Sequence, residues 1–186
     1  MFSRIILTLP VFIGNFFRFV FYTAFIGFAA FFLGQLLPRR NFDYTSFPFK
    51  CFHWENNGRI YLKTRIQFWK DKVPDMSQYI KSVFRKRITV FRSADYLEDL
   101  IRETCVAEWV HLMLVFISPI YLVLLDGAAG VLSMIAYALG NVPFILIQRY
   151  NRPRLIMVME RQKQLNSKRA AKENPKHILN TAVVTK

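Results

Sequence analysis

The sequence predicts an α-helical integral membrane protein, with an N-terminal anchor helix and a C-terminal transmembrane helical hairpin joined by a small mixed segment. Of its 186 residues, 53% are hydrophobic and 19 are phenylalanine, and they fall in long runs. The formal net charge of +14 comes from basic residues that flank those runs. We interpret this charge as a topology signal and as attraction to anionic phospholipid headgroups. Without a recognition motif, we expect no nucleic-acid partner.

Residues 1–38 form the predicted membrane anchor. Residues 5–37 are apolar almost throughout, which exceeds the roughly 20 residues of one span. They allow one tilted helix plus a short interfacial piece. The pair Ala29-Ala30 is a weak candidate for a signal-peptide cleavage site, but an uncleaved anchor fits the long apolar run better. Pro38-Arg39-Arg40 ends the helix.

Residues 39–106 form the predicted basic juxtamembrane segment. Residues 49–54 predict a short strand, and Asn56-Asn57-Gly58 predicts a turn because these residues tolerate positive φ. From Arg59 the apolar spacing is helical, although a partner strand over residues 59–62 remains an alternative.

Later parts of this segment favour a membrane surface. Trp54 and Trp69 are natural interface anchors. Residues 69–75 predict a charged turn closed by Pro74, and residues 81–92 carry five cations without an acid. We interpret the cationic run as a surface that faces lipid headgroups.

An amphipathic helix is predicted to begin after Ser93, a plausible N-cap, with Asp95 in its first turn. It continues into the membrane until Ser118-Pro119. Its predicted buried face contains Leu97, Leu100, Ile101 and Thr104.

Residues 107–155 form the predicted transmembrane hairpin. The two spans cover residues 107–125 and 130–147, separated by a tight turn at Leu125-Asp126-Gly127. The remaining residues, 156–186, predict a basic, partly disordered tail. The positive-inside rule places both long polar segments in the cytoplasm of a multi-pass cell-membrane protein. The number of spans before residue 38 and the side of the N-terminus stay open.

Polar residues continue the buried face of the amphipathic helix into the membrane. On a helical wheel, the line through Ile101 and Thr104 leads to Glu108 and then His111. These two residues are three apart and therefore neighbours on the helix surface. Glu103 lies on the flank of the same face.

The second span also carries an aligned polar face, which leads into a basic exit from the membrane. The face contains Ser133, Tyr137, Asn141, Phe144 and Gln148, and the exit contains Gln148, Arg149, Asn151, Arg152 and Arg154. Such groups normally face a bundle interior or a wet cavity, so Tyr137, Asn141 and Gln148 are candidate substrate-binding residues. Because the spans are antiparallel, Glu108 and His111 should lie at the same membrane depth as Gln148 and Arg149.

This constellation predicts acid–base chemistry. His111 is the candidate general base, Glu108 would fix its tautomer, and the arginines and amides would bind donor phosphates or an oxyanion. The alternative is a structural salt bridge between Glu108 and Arg149. Cys51 and Cys105 predict free thiols, and no metal site is predicted.

Three stretches resemble the glycosyl-4,4'-diaponeurosporenoate acyltransferase family over residues 47–155. They are Trp69-Lys70 with Asp75, Glu103-Thr104 with Ala107-Glu108 and His111, and residues 141–155 from Asn141-Val142-Pro143 to Gln148-Arg149-Tyr150-Asn151-Arg152-Pro153-Arg154-Leu155. The resemblance implies a small multi-pass membrane acyltransferase that esterifies the glucose of a carotenoid glycolipid with a fatty acid. Trp69 and Lys70 are further candidate substrate-binding residues, and Glu103 is a further candidate catalytic residue.

The leading hypothesis is therefore O-acyl transfer from acyl-CoA, or another activated acyl donor, to a sugar hydroxyl of a membrane glycolipid. No bound cofactor is expected. A non-catalytic glycolipid-binding or scaffold subunit of a biosynthetic complex is the alternative. A third possibility is an acyltransferase that acts on another membrane lipid.

Overall fold

The computed structural model describes residues 2–73 and 94–184, with side chains for residues 10–73 and 94–171. Within these ranges the chain is helical and has no strand. The helices are α1 (Phe2–Leu36), α2 (Ile66–Trp69), α3 (Ala94–Ile117), α4 (Tyr121–Leu124) and α5 (Gly127–Val184). Short 3-10 turns cover Arg39–Asn41, His53–Glu55, Arg59–Thr64, Lys70–Lys72 and Ser118–Ile120.

Three described stretches are long and apolar enough to cross a membrane: Pro10–Leu36, Ala94–Leu124 and Gly127–Ala171. The first lies in α1, which is one continuous helix of 35 residues with Pro10 inside it. The helix thus has no break at Pro10, and the predicted interfacial piece stays a prediction. Helix α1 is tied to the rest of the chain by a 2.7 Å hydrogen bond between the hydroxyls of Thr23 and Tyr121.

Helices α3 and α5 form the predicted hairpin. Helix α3 ends at Ile117, directly before the 3-10 turn at Ser118–Ile120, because the proline ring cannot extend the α-helical ladder. Leu125 is extended and Gly127 has φ 57°, so the chain reverses there. A Cβ on Gly130 would lie 2.3 Å from the carbonyl oxygen of Leu125, and only glycine permits so close a return.

Helix α5 continues where the sequence predicts a frayed tail. It runs through Pro153 to Val184. The reason is visible one turn after the basic exit, where Met159 packs against Leu97 and Ile101 at the start of α3. The apolar face predicted on the first half of α3 therefore packs against the part of α5 that follows the basic exit. Burial of that face stabilises both helices beyond the apolar spans.

The strand predicted for residues 49–54 is wrong. The carbonyls of Phe49 and Lys50 accept hydrogen bonds from arginine side chains of α5 instead of a neighbouring strand. The turn at residues 56–58 is confirmed, with φ of 47°, 53° and 79° in order. The helical prediction after Arg59 is also confirmed, and the alternative partner strand is wrong.

Gly58 lets this segment approach α5 closely. A Cβ at Gly58 would lie 3.3 Å from the carbonyl oxygen of Tyr150 and 3.4 Å from that of Arg149. The segment is therefore fitted directly onto the helix backbone at the basic exit. The predictions for Pro74, Asp75, the cationic run 81–92 and the Ser93 N-cap lie outside the described residues.

Candidate functional site

The candidate site begins with Glu108, which is 1% exposed on α3. One carboxylate oxygen accepts a 2.6 Å hydrogen bond from Nη1 of Arg149, and the other accepts one from Nη2 of Arg152. The two arginines are three residues apart on α5, so they point from one face toward the same carboxylate. Glu108 and Arg149 therefore lie at the same level of the helical hairpin, as the antiparallel arrangement predicts.

Glu55 is the second buried carboxylate of the site and is also 1% exposed. It accepts hydrogen bonds from Nε of Arg149 at 2.5 Å and from Nη2 at 2.9 Å. The N–H of Phe52 at 2.6 Å and the hydroxyl of Tyr61 complete its partners. Burial raises the pKa of this carboxyl, but the hydrogen bonds from Arg149, Tyr61 and Phe52 outweigh that effect and hold the pKa below its usual value.

Glu55, Glu108, Arg149 and Arg152 together form what we call the charge network. It contains two carboxylates and two guanidiniums, so its charges balance. A balanced, hydrogen-bonded set is what allows four charges to be buried, because each unpaired charge would carry a large desolvation penalty.

The other donors of the arginines are also engaged. Arg149 donates to the carbonyls of Pro48 and Lys50, at 3.1 and 3.3 Å, and its guanidinium lies 4.7 Å from the Phe52 ring centre. Arg152 has a similar set of partners, which are the Thr104 hydroxyl (2.9 Å), the Thr104 carbonyl (3.0 Å) and the Phe49 carbonyl (2.6 Å). The predicted role in binding donor phosphates would therefore require these protein contacts to break. The geometry supports a positioning role instead.

His111 lies one turn deeper along α3 and is half-buried. Its Nδ1 is 2.8 Å from Oδ1 of Asn141, and Nδ2 of Asn141 donates to the carbonyl of Tyr137 at 2.8 Å. With the amide oriented in this way, Oδ1 of Asn141 accepts a hydrogen bond from the Nδ1–H of His111, which leaves the basic lone pair of the ring on Nε2. The ring also stacks on Phe144, with centroids 4.4 Å apart and an interplanar angle of 11°.

This geometry changes one predicted role. We expected Glu108 to fix the imidazole tautomer, but both of its oxygens accept hydrogen bonds from the arginines. Asn141 provides the hydrogen bond at Nδ1. Tyr137 and Asn141 are both buried, so the predicted polar face of α5 does point into the protein. The residue that bonds to His111 is Asn141 and not Glu108.

Glu103, predicted as a third catalytic residue, lies elsewhere. It pairs with Arg39 at 2.8 Å, and its side chain is 37% exposed. Five residues separate it from Glu108, which corresponds to about 140° around a helix. It therefore faces the end of α1 and not the charge network.

The remaining predicted residues surround the exit of α5 in different ways. Trp69 donates from Nε1 to the Thr64 carbonyl and packs against a cluster that includes Tyr150. Lys70 pairs with its neighbour Asp71 at 2.7 Å. Arg154 lies 3.5 Å from the Tyr150 ring centre and donates to the Tyr150 carbonyl. Gln148 is buried and Asn151 is half-buried beside the network.

Sequence reasoning missed Glu55. Its signal was available in retrospect, because Glu55 is the only acidic residue between Asp43 and Asp71 in a strongly basic segment. A single carboxylate in such a basic segment is expected to pair with a cationic side chain. The predicted free thiols are confirmed, with Cys51 exposed and Cys105 buried. Cys51 lines a narrow cleft beside Glu55, Arg149 and Arg152.

Comparison with known proteins identifies the family. The model of the glycosyl-4,4'-diaponeurosporenoate acyltransferase family matches residues 42–161. The chain belongs to this family. It is 31% identical over 131 residues to the glycosyl-4,4'-diaponeurosporenoate acyltransferases of Staphylococcus aureus strains bovine RF122 / ET3-1, N315 and USA300. Each alignment covers 68% of this chain and 77% of the relative. No solved structure matches the chain.

The family assignment makes the protein an acyltransferase. The matched residues include the whole charge network together with His111 and Asn141. All of α1 and the final part of α5 lie outside the match.

Proposed function

We propose that this protein is a membrane O-acyltransferase that esterifies a sugar hydroxyl of a glycosylated lipid with a fatty acid. The acceptor is a carotenoid glucoside such as glycosyl-4,4'-diaponeurosporenoate, the compound named in the family and in its staphylococcal relatives. The observation that carries this proposal is the family match over residues 42–161. This range includes the charge network, His111 and Asn141.

In the proposed reaction, His111 acts as the general base through Nε2. The sugar hydroxyl loses its proton to Nε2 while its oxygen attacks the carbonyl carbon of the acyl donor. The tetrahedral intermediate then collapses and breaks the bond to the leaving group, which for acyl-CoA is the carbon–sulfur bond. The imidazolium returns its proton to the departing thiolate, so the products are the ester and free thiol. Asn141 holds the ring in the required tautomer throughout.

The charge network supports this chemistry by position. It joins the 47–61 segment, α3 and α5, and so fixes the relative place of the helices that carry His111 and Asn141. Asn151 and Arg154, both half-buried at the exit, are our candidates for contacts to the donor phosphates. We infer acyl-CoA as the donor because the basic segments favour a cytoplasmic site in a multi-pass cell-membrane protein.

The test uses membranes that contain either the parent protein or the His111→Gln variant, supplied with acyl-CoA and the carotenoid glucoside. Mass spectrometry of the lipid extract measures acylated product. Because a positioned general base contributes roughly 10²–10⁴-fold, we expect His111→Gln to lower the rate by that factor. His53→Gln is the matched control, since His53 is exposed in a 3-10 turn and should retain the parent rate.

Two outcomes would count against parts of the proposal. An unchanged ester yield in His111→Gln would remove the proposed base. Acylation of another membrane lipid, with the carotenoid glucoside untouched, would overturn the proposed acceptor and retain the acyl-transfer activity.

A further inference from the structure

An exposed aromatic patch lies directly outside the charge network. It consists of Phe47, Phe52 and Trp54, whose rings contact one another in sequence. The Phe47 and Phe52 centroids are 6.4 Å apart, and Phe52 and Trp54 stack at 6.1 Å with an interplanar angle of 9°. Phe47 is 76% exposed and Trp54 is 60% exposed. Three adjoining rings on a surface are costly in water, so a specific environment must cover them.

The patch is clamped to one level of α5. Arg149 donates to the carbonyls of Pro48 and Lys50 and to Glu55, and its guanidinium lies against Phe52. Residues 47–55 therefore have little freedom to move along the helix axis. The depth of Arg149 fixes the depth of the patch.

That depth corresponds to the edge of a bilayer. Arg149 is 22 residues beyond Gly127, where α5 begins, and a rise of 1.5 Å per residue gives about 33 Å. The apolar core of a bilayer is about 30 Å thick. With the turn at residues 125–127 at one face of the membrane, the patch lies at the headgroup level of the other face. Aromatic rings are favoured at that level.

The charge around the patch fits phospholipid. Lys50 is exposed between Phe47 and Phe52 in the chain. Glu55, the one carboxylate within residues 47–58, is buried and neutralised by Arg149. The outer surface of the patch therefore presents a cation and aromatic rings, which complement an anionic headgroup layer.

We propose that Phe47, Phe52 and Trp54 insert into the headgroup region of the phospholipid leaflet and hold the charge network at the membrane surface. This inference is independent of acyl transfer, because it rests on exposure, depth and charge. It predicts that residues 47–58 lie on the bilayer surface and do not extend into water.

The test measures the depth of Trp54 by fluorescence. The chain has three tryptophans, so Trp69→Phe and Trp109→Phe leave Trp54 as the single emitter. The protein is reconstituted in phosphatidylcholine–phosphatidylglycerol vesicles whose acyl chains are brominated either near the carbonyl or near the methyl end. We expect strong quenching by the shallow bromine, weaker quenching by the deep bromine, and little quenching by acrylamide from the water.

A second single-tryptophan protein provides the control. Trp54→Phe with Trp109→Phe leaves Trp69, whose ring packs against Tyr61, Ile66 and Tyr150, so its quenching by bromolipid should be weaker than that of Trp54. Phe47→Ser in the Trp54 background should lose much of the shallow quenching, because the inserted surface shrinks. In a Cys51→Ser background, protection of the buried Cys105 from a thiol-reactive dye verifies that each variant is folded.

Two results would overturn the inference. Quenching of Trp54 by acrylamide and not by either bromolipid would place the patch in water. Protection of Trp54 from acrylamide and from both bromolipids would show that protein, such as a second copy of the chain, covers the patch.

Discussion

The charge network and the His111–Asn141 pair lie at the same interface between α3 and α5, but they are attached to the fold very differently. The network joins three segments through ion pairs of 2.5–2.6 Å and carbonyl contacts. His111 hydrogen-bonds to Asn141 at 2.8 Å and stacks on Phe144, and neither of these contacts is an ion pair. A group with saturated ion pairs is poorly suited to exchange protons during a reaction. We therefore propose that the network mainly stabilises the fold and that the His111–Asn141 pair carries the proton transfer.

The largest expected effect comes from breaking the network. Glu108→Gln removes the charge that two buried arginines share, and loss of one partner from a buried pair costs about 3–5 kcal/mol of unfolding free energy. Thermal unfolding in detergent is followed by labelling of Cys105, which is buried, in a Cys51→Ser background. We expect Glu108→Gln to lower the midpoint strongly.

Glu103→Gln is the matched control on the same helix. Its pair with Arg39 is more than one third exposed on the glutamate side, so its loss should cost about 0–1 kcal/mol. Equal destabilisation by the two substitutions would contradict the assignment of stability to the network.

A smaller effect is expected from the pair. Asn141→Leu removes the acceptor at Nδ1 of His111, and we expect activity to fall by about 10–100-fold, the loss seen when the orienting partner of a metal-bound histidine is removed. We expect kcat to fall while KM for the acyl donor is retained, because Asn141 positions the base and does not hold the donor. The pH dependence of kcat should change as well, since the imidazole loses the contact that selects its tautomer. Ser133→Ala, on the same face of α5, should leave kcat unchanged, and an unaltered kcat and pH profile in Asn141→Leu would refute the positioning role.

The part of the site that was predictable is the part that lies on regular helices. A periodic face through Ile101 and Thr104 led to Glu108, and antiparallel packing placed Arg149 opposite. Glu103 was predicted to be catalytic although it does not share the helix face of Glu108. The two residues are five apart, which corresponds to about 140° around the helix.

Glu55 was beyond the reach of periodicity. It lies in a 3-10 turn whose backbone groups bond to side chains of α5, and irregular segments have no repeat from which a facing direction can be calculated. The strand predicted there was wrong for the same reason. Local propensity carries no information on Arg149 and Arg152, which lie about 100 residues further along the chain and bond to the carbonyls of this segment. Similarly, Asn141 was placed on the right face, but which of two polar neighbours would reach His111 depended on rotamers.

Glu55 offers a way to weaken the network by pH. Its folded pKa lies below its usual value, and the unfolded pKa is about 4.3. The stabilisation is therefore complete above pH ~4.3 and is lost as the pH falls through the folded pKa. Glu55→Gln should cost about 1.5–3 kcal/mol at neutral pH and flatten the acid side of the stability profile. Tryptophan fluorescence in detergent, measured as the pH is lowered, provides the comparison. If Glu55→Gln loses stability at low pH as steeply as the parent does, then other carboxylates determine the acid sensitivity of the protein.

The smallest effects are expected at two uncharged tyrosine hydroxyls, one on Tyr121 of α4 and the other on Tyr137 of α5. The Tyr121 hydroxyl bonds to Thr23 at 2.7 Å, whereas the Tyr137 hydroxyl is buried without a hydrogen-bond partner among the described residues. Tyr121→Phe should lower the unfolding free energy by about 0.5–1 kcal/mol, the usual range for hydrogen bonds within membranes. Tyr137→Phe should raise it by up to about 1 kcal/mol, because it removes an unpaired buried polar group.

The ring centroids of Tyr121 and Tyr137 are 5.1 Å apart. A measurement of acyl-transfer activity then shows whether either hydroxyl has a role in function besides its effect on stability. Tyr137 lies on the polar face that carries Asn141, and the sequence predicts it to bind substrate. A Tyr137→Phe protein that is more stable but slower in acyl transfer would show that the hydroxyl is retained for a substrate oxygen. A more stable protein with full activity would remove Tyr137 from the site, and the functional part of the interface would then narrow to His111 and Asn141.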